Sequence, residues 1–406
     1  MSNTLLTIDM ITREALRIAH EKATFIGSIN RQFDRSWSSE GPAGNTLRIR
    51  VPAEYTYRSG SRVMDVQDST QVSTSLVVAT QAGVDMRFNS AELAQSLDDF
   101  SKLHLEPAMA VLVSNIDGTV LQGCTQQTYN FATNSITNTP SLTAVSSLTA
   151  PQNARTRMNQ ALAPKGDRTL QMDSPMMSGI VTGVPAYFNP SNAISQQYRE
   201  GFVARTAMAD YMENERVWGM TTISSVTLSS AKMNGYISTN GQTSLNVTSI
   251  TQTPGVGSVF TIANVYDVHP ETKSQYQALK QFTITAQTDA STYTISPAIY
   301  RTGARQNVAG VGVTTSTQAV TFLGTTSATF PTALMYHRDA FTFATAELPL
   351  MADAISCVRK TYDGLSLRVW RASDIRNDEV LTRIDILYGY AAVRPQWACR
   401  IIGTGA

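Results

Sequence analysis

From about Thr221 to Pro331 the chain is dominated by Ser, Thr, Asn, Gln and Gly, and helical periodicity is nearly absent. No charged residue stands between Lys232 and Asp267. Within this stretch "GSVFTIANVYDVHPETKSQYQALKQFTITA", Gly257 to Ala286, reads as strand, tight polar loop, strand. The sequence on either side carries helix signals. A helix-bearing chain interrupted in this way has few folds open to it. The β-type stretch must pair with itself, and the flanks read as two halves of one parent domain, because an inserted segment leaves and re-enters its host near one place.

The flanks supply the helices. Ile8, Ile11, Ala15, Ile18 and Ala19 recur at spacings of three and four, with Thr7 placed to cap and Asp9 in the first turn. Leu93, Leu97, Phe100, His104, Leu105, Met109, Leu112, Ile116 and Val120 predict a long helix that starts near Ser90 and is kinked at Pro107. A further helix is expected in "LTAPQNARTRMNQALAPKGD", and a strand with a short helix in "RTLQMDSPMMSGIVTG". Two runs alternate at period two, Leu47, Ile49 and Val51 in "TLRIRVP" and Val84, Met86 and Phe88 in "GVDMRF", and predict half-buried strands. The long connection between them, "AEYTYRSGSRVMDVQDSTQVSTS", predicts a projecting β-loop. The C-terminal part reads as "ALMYHRDAFTFATAELPL", an alternating "LSLRVWRASD" and "RIDILYGYAAVRPQWACRIIG". The fold class is α+β.

Composition narrows the function classes. Charged residues make up 16% of the chain, against about 25% in a typical soluble domain. Such a surface suits extensive protein–protein contact, since few charges need desolvating. The formal net charge of +1 gives no global field for nucleic acid. Cys124, Cys357 and Cys399 are widely spaced and read as free thiols. The sequence contains neither a signal-peptide pattern nor an apolar run long enough to cross a membrane.

Enzyme motifs are poor. "AHEKAT" at His20 lacks the second His of a metalloprotease helix, and His20, His104, His269 and His337 have no ligand spacing. "GVGVTT" at Gly310 lacks the third glycine and the lysine of phosphate loops, and Asp98 and Asp99 diverge on a helix. No catalytic, cofactor or metal residues are assigned.

The order of elements resembles the major capsid proteins of tailed bacteriophages with the Hong Kong 97 fold, and among them the P22-like coat proteins that carry an insertion domain. The stretches that carry the resemblance are "REALRIAHEKATFIGSINRQFDRSW", "GNTLRIRVPAEY", "DRTLQMDSPMMSGIV", "YFNPSNAISQQYREG" and "LYGYAAVRPQWACRIIG". It implies an N-terminal arm over 1–35 and an extended loop region over 42–89. A spine helix at about 90–122 then opens the first part of a peripheral and axial domain, 90–220. An inserted antiparallel β-barrel over 221–331 and a return to the parent fold over 332–406 complete the layout. It also implies many copies, as hexamers and pentamers, closing an icosahedral shell around packaged DNA in the virion. Assembly is expected in the host cytoplasm with a separate scaffolding protein, and with a portal protein at one vertex. Two departures stand out: the loop Asn234 to Ser244 is uncharged, and the extended loop has no lysine for a covalent cross-link.

Arg58, Arg62, Asp65 and Asp68, with Gly60 allowing a turn, are candidates for charge pairing with a neighbouring subunit. The alternative from another class is a soluble β-rich hydrolase with a carbohydrate-binding module, which would need a convergent catalytic set.

Overall fold

A computed structural model describes residues 8–33, 44–60, 71–89, 104–134, 147–183, 206–222, 231–250, 253–310, 317–352, 355–374 and 376–403, apart from gaps of one or two residues within them, together with 64, 66, 142, 144 and 145. The chain divides into two compact units: 1–49, 73–120 and 341–393, and 50–72, 121–340 and 394–406.

In the first unit, α1 (Ile8–Lys22) buries Ile11, Ala15, Leu16, Ile18 and Ala19, the stripe expected from spacing. Arg17 on the open face pairs with Glu14 one turn earlier. A short α2 (Phe25–Ser28) follows. The long helix α3 (Glu106–Gln127) buries Met109, Leu112, Val113 and Ile116, and its last turns continue into the second unit. Pro107 stands at the second position of the regular helix, directly after π-helical backbone at His104 and Leu105. The expected positions before His104 lie outside the described residues.

The sheet of this unit is built on β19 (Glu379–Ala392). One side of β19 pairs with β3 (Thr80–Asn89), and the other with β18 (Leu365–Asp374) and β16 (Phe341–Ala346). β17 (Ser356–Tyr362) adds to β18, and all pairs are antiparallel. In β3, Val84, Met86 and Phe88 are half-buried and Asp85 and Arg87 exposed, as the alternation predicts. β1 (Thr46–Val51) pairs with β2 (Val72–Val77), a strand inside the segment read as a connection. Leu47, Ile49, Leu76 and Val78 pack on Ala344, Leu387 and Ala391. Here Gly389 is required by close approach, since a Cβ would run into the Val77 carbonyl.

The second unit holds two sheets. One has strand order β4 (Phe131–Ala132), β20 (Ala398–Ile402), β15 (Thr329–His337), β5 (Arg168–Met172) and β6 (Asp210–Glu213). α4 (Thr149–Gln160) and α5 (Ser174–Gly183) supply Ala150, Ala154, Met158, Met176 and Ile180 to its core. The other sheet contains β8 (Lys232–Met233), β9 (Gln242–Thr248), β10 (Val259–Val268), β11 (Gln275–Gln287), β12 (Thr292–Ile299), β13 (Val308–Ala309) and β14 (Val320–Phe322). β8 and β14 close it: Lys232 bridges Ala319, and Val320 N donates to the Ala231 carbonyl at 2.9 Å. Phe260, Phe282 and Phe322 stack in its interior, with Ile284, Tyr293 and Ile295 around them. Closure leaves no long free edge. The chain enters through β7 (Gly219–Thr221) and leaves through the start of β15, and these two pair directly, Thr221 with Thr329 and Gly219 with Pro331.

Candidate functional site

Of the loop residues singled out from sequence, Arg58 is exposed in irregular chain, and Gly60 has the positive φ of 103° that a turn requires. Arg62, Asp65 and Asp68 lie outside the described residues. The same loop exposes Tyr57 (90%), Met64 (84%) and Val66 (75%), an apolar display that charge-based reading overlooks.

The histidines serve local structure. His337 is buried and its Nδ1 accepts the Asp339 amide at 3.2 Å, so its ring is neutral; burial pulls its pKa below the usual range. His269 Nδ1 accepts the amides of Glu271 and Thr272, both at 3.1 Å, and shapes the tight loop between β10 and β11. His104 packs edge-on against Phe88. The side chain of His20 lies outside the described residues.

Buried charge was the part the sequence concealed. In the alternating "LSLRVWRASD", Ser366 and Arg368 are both buried. The Arg368 guanidinium donates to Asp385 at 2.6 Å and to the Pro349 carbonyl at 2.8 Å, and Asp385 also accepts from Arg383 at 2.8 Å. Asp117, buried midway along α3, accepts the Thr24 hydroxyl and the Phe25 and Ile26 amides, each at 3.0 Å. It therefore caps α2 from a distant helix, at a position that falls among apolar residues in the sequence.

In the second unit, buried polar groups fasten the closed sheet to its host. Arg400 on β20 is fully buried. It donates to the Gly257 carbonyl at 2.5 Å, to the Gln126 carbonyl at the end of α3 at 2.9 Å and to the Thr283 hydroxyl at 2.8 Å. Burial pulls its pKa down to about 9, so it remains a cation at neutral pH. The Gln126 carbonyl carries the partial negative charge of a helix C-terminus, which favours that cation. Gln281 exchanges two hydrogen bonds with the Phe131 backbone, both at 2.9 Å. Burial lowers the Lys280 pKa, and the Asp267 carboxylate at 2.8 Å more than offsets this, leaving it raised. Gly257, at φ 88°, lets the chain pass Trp218, whose ring would stand 2.6 Å from a Cβ there. Phe131, Met220, Val259, Leu323, Phe330 and Ile402 complete the seam with an apolar cluster.

Each of these sites joins one part of the chain to another. Residues 221–403, a little under half of the chain, match the family model described as "P22 coat protein - gene protein 5", and this match points to a phage major capsid shell protein. The match begins at the end of β7 and runs through β20. No curated protein matches the sequence significantly. Solved structures resemble the chain at low identity. One titled "Mycobacterium phage Che8" is 11% identical, covering 93% of this chain and 90% of its own, with a TM-score of 0.48. One titled "Capsid structure of the Cyanophage P-SCSP1u" is 9% identical, covering 90% and 85%, with a TM-score of 0.45. A third, the asymmetric unit of the bacteriophage PhiM1 mature capsid, is 9% identical, covering 89% and 83%, with a TM-score of 0.44. None of these comparisons supports the hydrolase alternative.

Proposed function

We propose that copies of this chain form hexamers and pentamers that close an icosahedral head around double-stranded DNA. A separate scaffolding protein and a portal at one vertex take part, and assembly occurs in the host cytoplasm. The observation that carries the reading is the coat-protein match, which spans both the closed sheet and the return to the host sheet. Contacts repeated around symmetry axes close such a shell, and each can be weak because every subunit makes many of them.

Within this reading, 221–331 is an inserted β-barrel domain that stabilises the subunit. Its support is the closed strand pairing, the side-by-side entry and exit strands and the Arg400 seam. The N-terminal arm is 1–35, the extended loop region 42–89, and the spine helix at about 90–122 opens a peripheral and axial domain formed by 90–220 and 332–406. That loop docks on a neighbouring subunit through Tyr55, Tyr57, Met64 and Val66, with Arg58, Arg62, Asp65 and Asp68 adding charge pairs; the exposed apolar residues support this.

Expression followed by electron microscopy and size-exclusion chromatography tests the reading. Closed megadalton shells are expected, and a stable small oligomer under every condition that supports assembly would overturn it. Replacing Arg58 and Arg62 together by Ala should leave subunit melting nearly unchanged, because exposed pairs contribute only about 0–1 kcal/mol each. Particle yield should fall, more steeply at high salt. Unchanged yield at all salt concentrations would remove these arginines from the contacts.

A further inference from the structure

Both units contain ion pairs. In the first, Arg17, Arg87, Arg359, Arg368 and Arg383 all pair with carboxylates. In the second, Lys280 pairs with Asp267, whereas Lys165, Arg338 and Arg394 make no ion pair among the described residues, and they gather at one corner of the sheet. Arg338 follows His337, which pairs with Arg168 at the start of β5, and the Arg338 amide donates to the Asp167 carbonyl at 3.2 Å. The Arg394 amide donates to the Ala340 carbonyl at 3.0 Å, and its guanidinium lies 4.2 Å from the centre of the Trp397 ring. Arg168 itself is fully buried, with Nη1 unpartnered among the described residues, and Arg155 on α4 adds repulsion to it. The corner thus presents Lys165, Arg338 and Arg394 beside Asp167 and Asp339, with Arg168 buried beneath and donating to the Pro164 and Ala163 carbonyls and to Asn159.

The other end of β5 has the opposite sign. Met172 is level with Glu213 on the edge strand β6, and Asp173 and Glu215 follow closely. Glu215 accepts the Ser174 amide at 3.0 Å, and Asp173 accepts the Met176 amide at 3.3 Å, so both are fixed at the start of α5. Glu213 is exposed and makes no ion pair. Three carboxylates stand here against one neighbouring cation, Arg216. Burial, with a smaller part from the Glu215 charge, pushes the Asp173 carboxyl above its usual range. Asp210, level with Thr169, lies towards the basic corner of its own chain.

We propose that the basic corner around Lys165 and Arg338 is a subunit interface whose occupant is the acidic end of β5–β6 in a second copy of this chain. Opposite poles at the two ends of one strand pair suit a head-to-tail contact, which closes into a ring when the rotation closes. Such complementarity fixes register and speeds encounter more than it adds affinity. The inference rests on the shell reading above.

Charge reversal tests it in the full-length protein. Arg338→Glu and Glu213→Lys should each raise the critical assembly concentration about tenfold, because an attraction becomes a repulsion in every copy. The double variant Arg338→Glu/Glu213→Lys should return it to within about threefold of the parent, with all three melting like the parent. A double variant no better than the single ones, or single variants that assemble normally, would overturn the proposal. A defect in Arg338→Glu without one in Glu213→Lys would assign the corner to another polyanion, such as DNA, and overturn it equally. If Arg338→Glu lowers subunit melting, Lys165→Glu replaces it, since Lys165 is exposed and remote from the core. Failure of the parent protein to assemble would instead count against the shell reading, so the two failures are distinguishable.

Discussion

Replacing Arg400 by Ala should destabilise the second unit by about 2–4 kcal/mol. The magnitude follows from what each partner would retain. The Gln126 carbonyl would still accept the Thr283 hydroxyl at 3.1 Å, so neither group is orphaned. The Gly257 carbonyl would lose its 2.5 Å donor inside the seam, at about 1–3 kcal/mol. A void the size of the missing side chain would cost a further few kcal/mol. Against both stands relief of desolvation, since burial already penalises this guanidinium. Arg400→Met fills most of the void with an apolar chain and leaves only the carbonyl loss, so it should cost about 1–2 kcal/mol. Urea unfolding of the unassembled subunit, followed by circular dichroism, measures both. Arg400→Ala within 0.5 kcal/mol of the parent, as an order-of-magnitude threshold, or Arg400→Met as damaging as Ala, would refute the reasoning.

Asp117→Ala should cost about 2–4 kcal/mol, because two buried amides and a hydroxyl lose a shared acceptor, whereas Asp117→Asn should retain part of it; thermal melting of both variants checks this. A piece spanning Thr221–Pro331 should fold alone, since its strands close on themselves around Phe260, Phe282 and Phe322, and a collapsed amide spectrum by NMR would contradict this. His337 has a folded pKa below its unfolded value of about 6.5, so its contribution is complete above that pH and is lost as pH falls below it. Unfolding midpoints against pH should show this slope in the parent and a reduced one in His337→Gln.

Local periodicity and turn chemistry were enough to read much of the fold. The stripe of α1 follows from residues three and four apart, and β3 from strict alternation. The uncharged run after Lys232 announced a self-paired β module, because few helices can be built from it. Exposure of the loop carrying Arg58 was legible from its length and its lack of pattern.

Only tertiary structure decided where the charges went. Asp117 and Thr24, or Arg400 and Gly257, are separated by long stretches of chain, and no local pattern links them. Arg368 is buried because Asp385 stands opposite it on the next strand. The sequence by itself determined which segments form helix and strand, since that is set by neighbours along the chain. The seam between closed sheet and host, and the opposed poles of β5, depend on which strands become neighbours in space, and buried polar groups are selected by those neighbours rather than by sequence spacing.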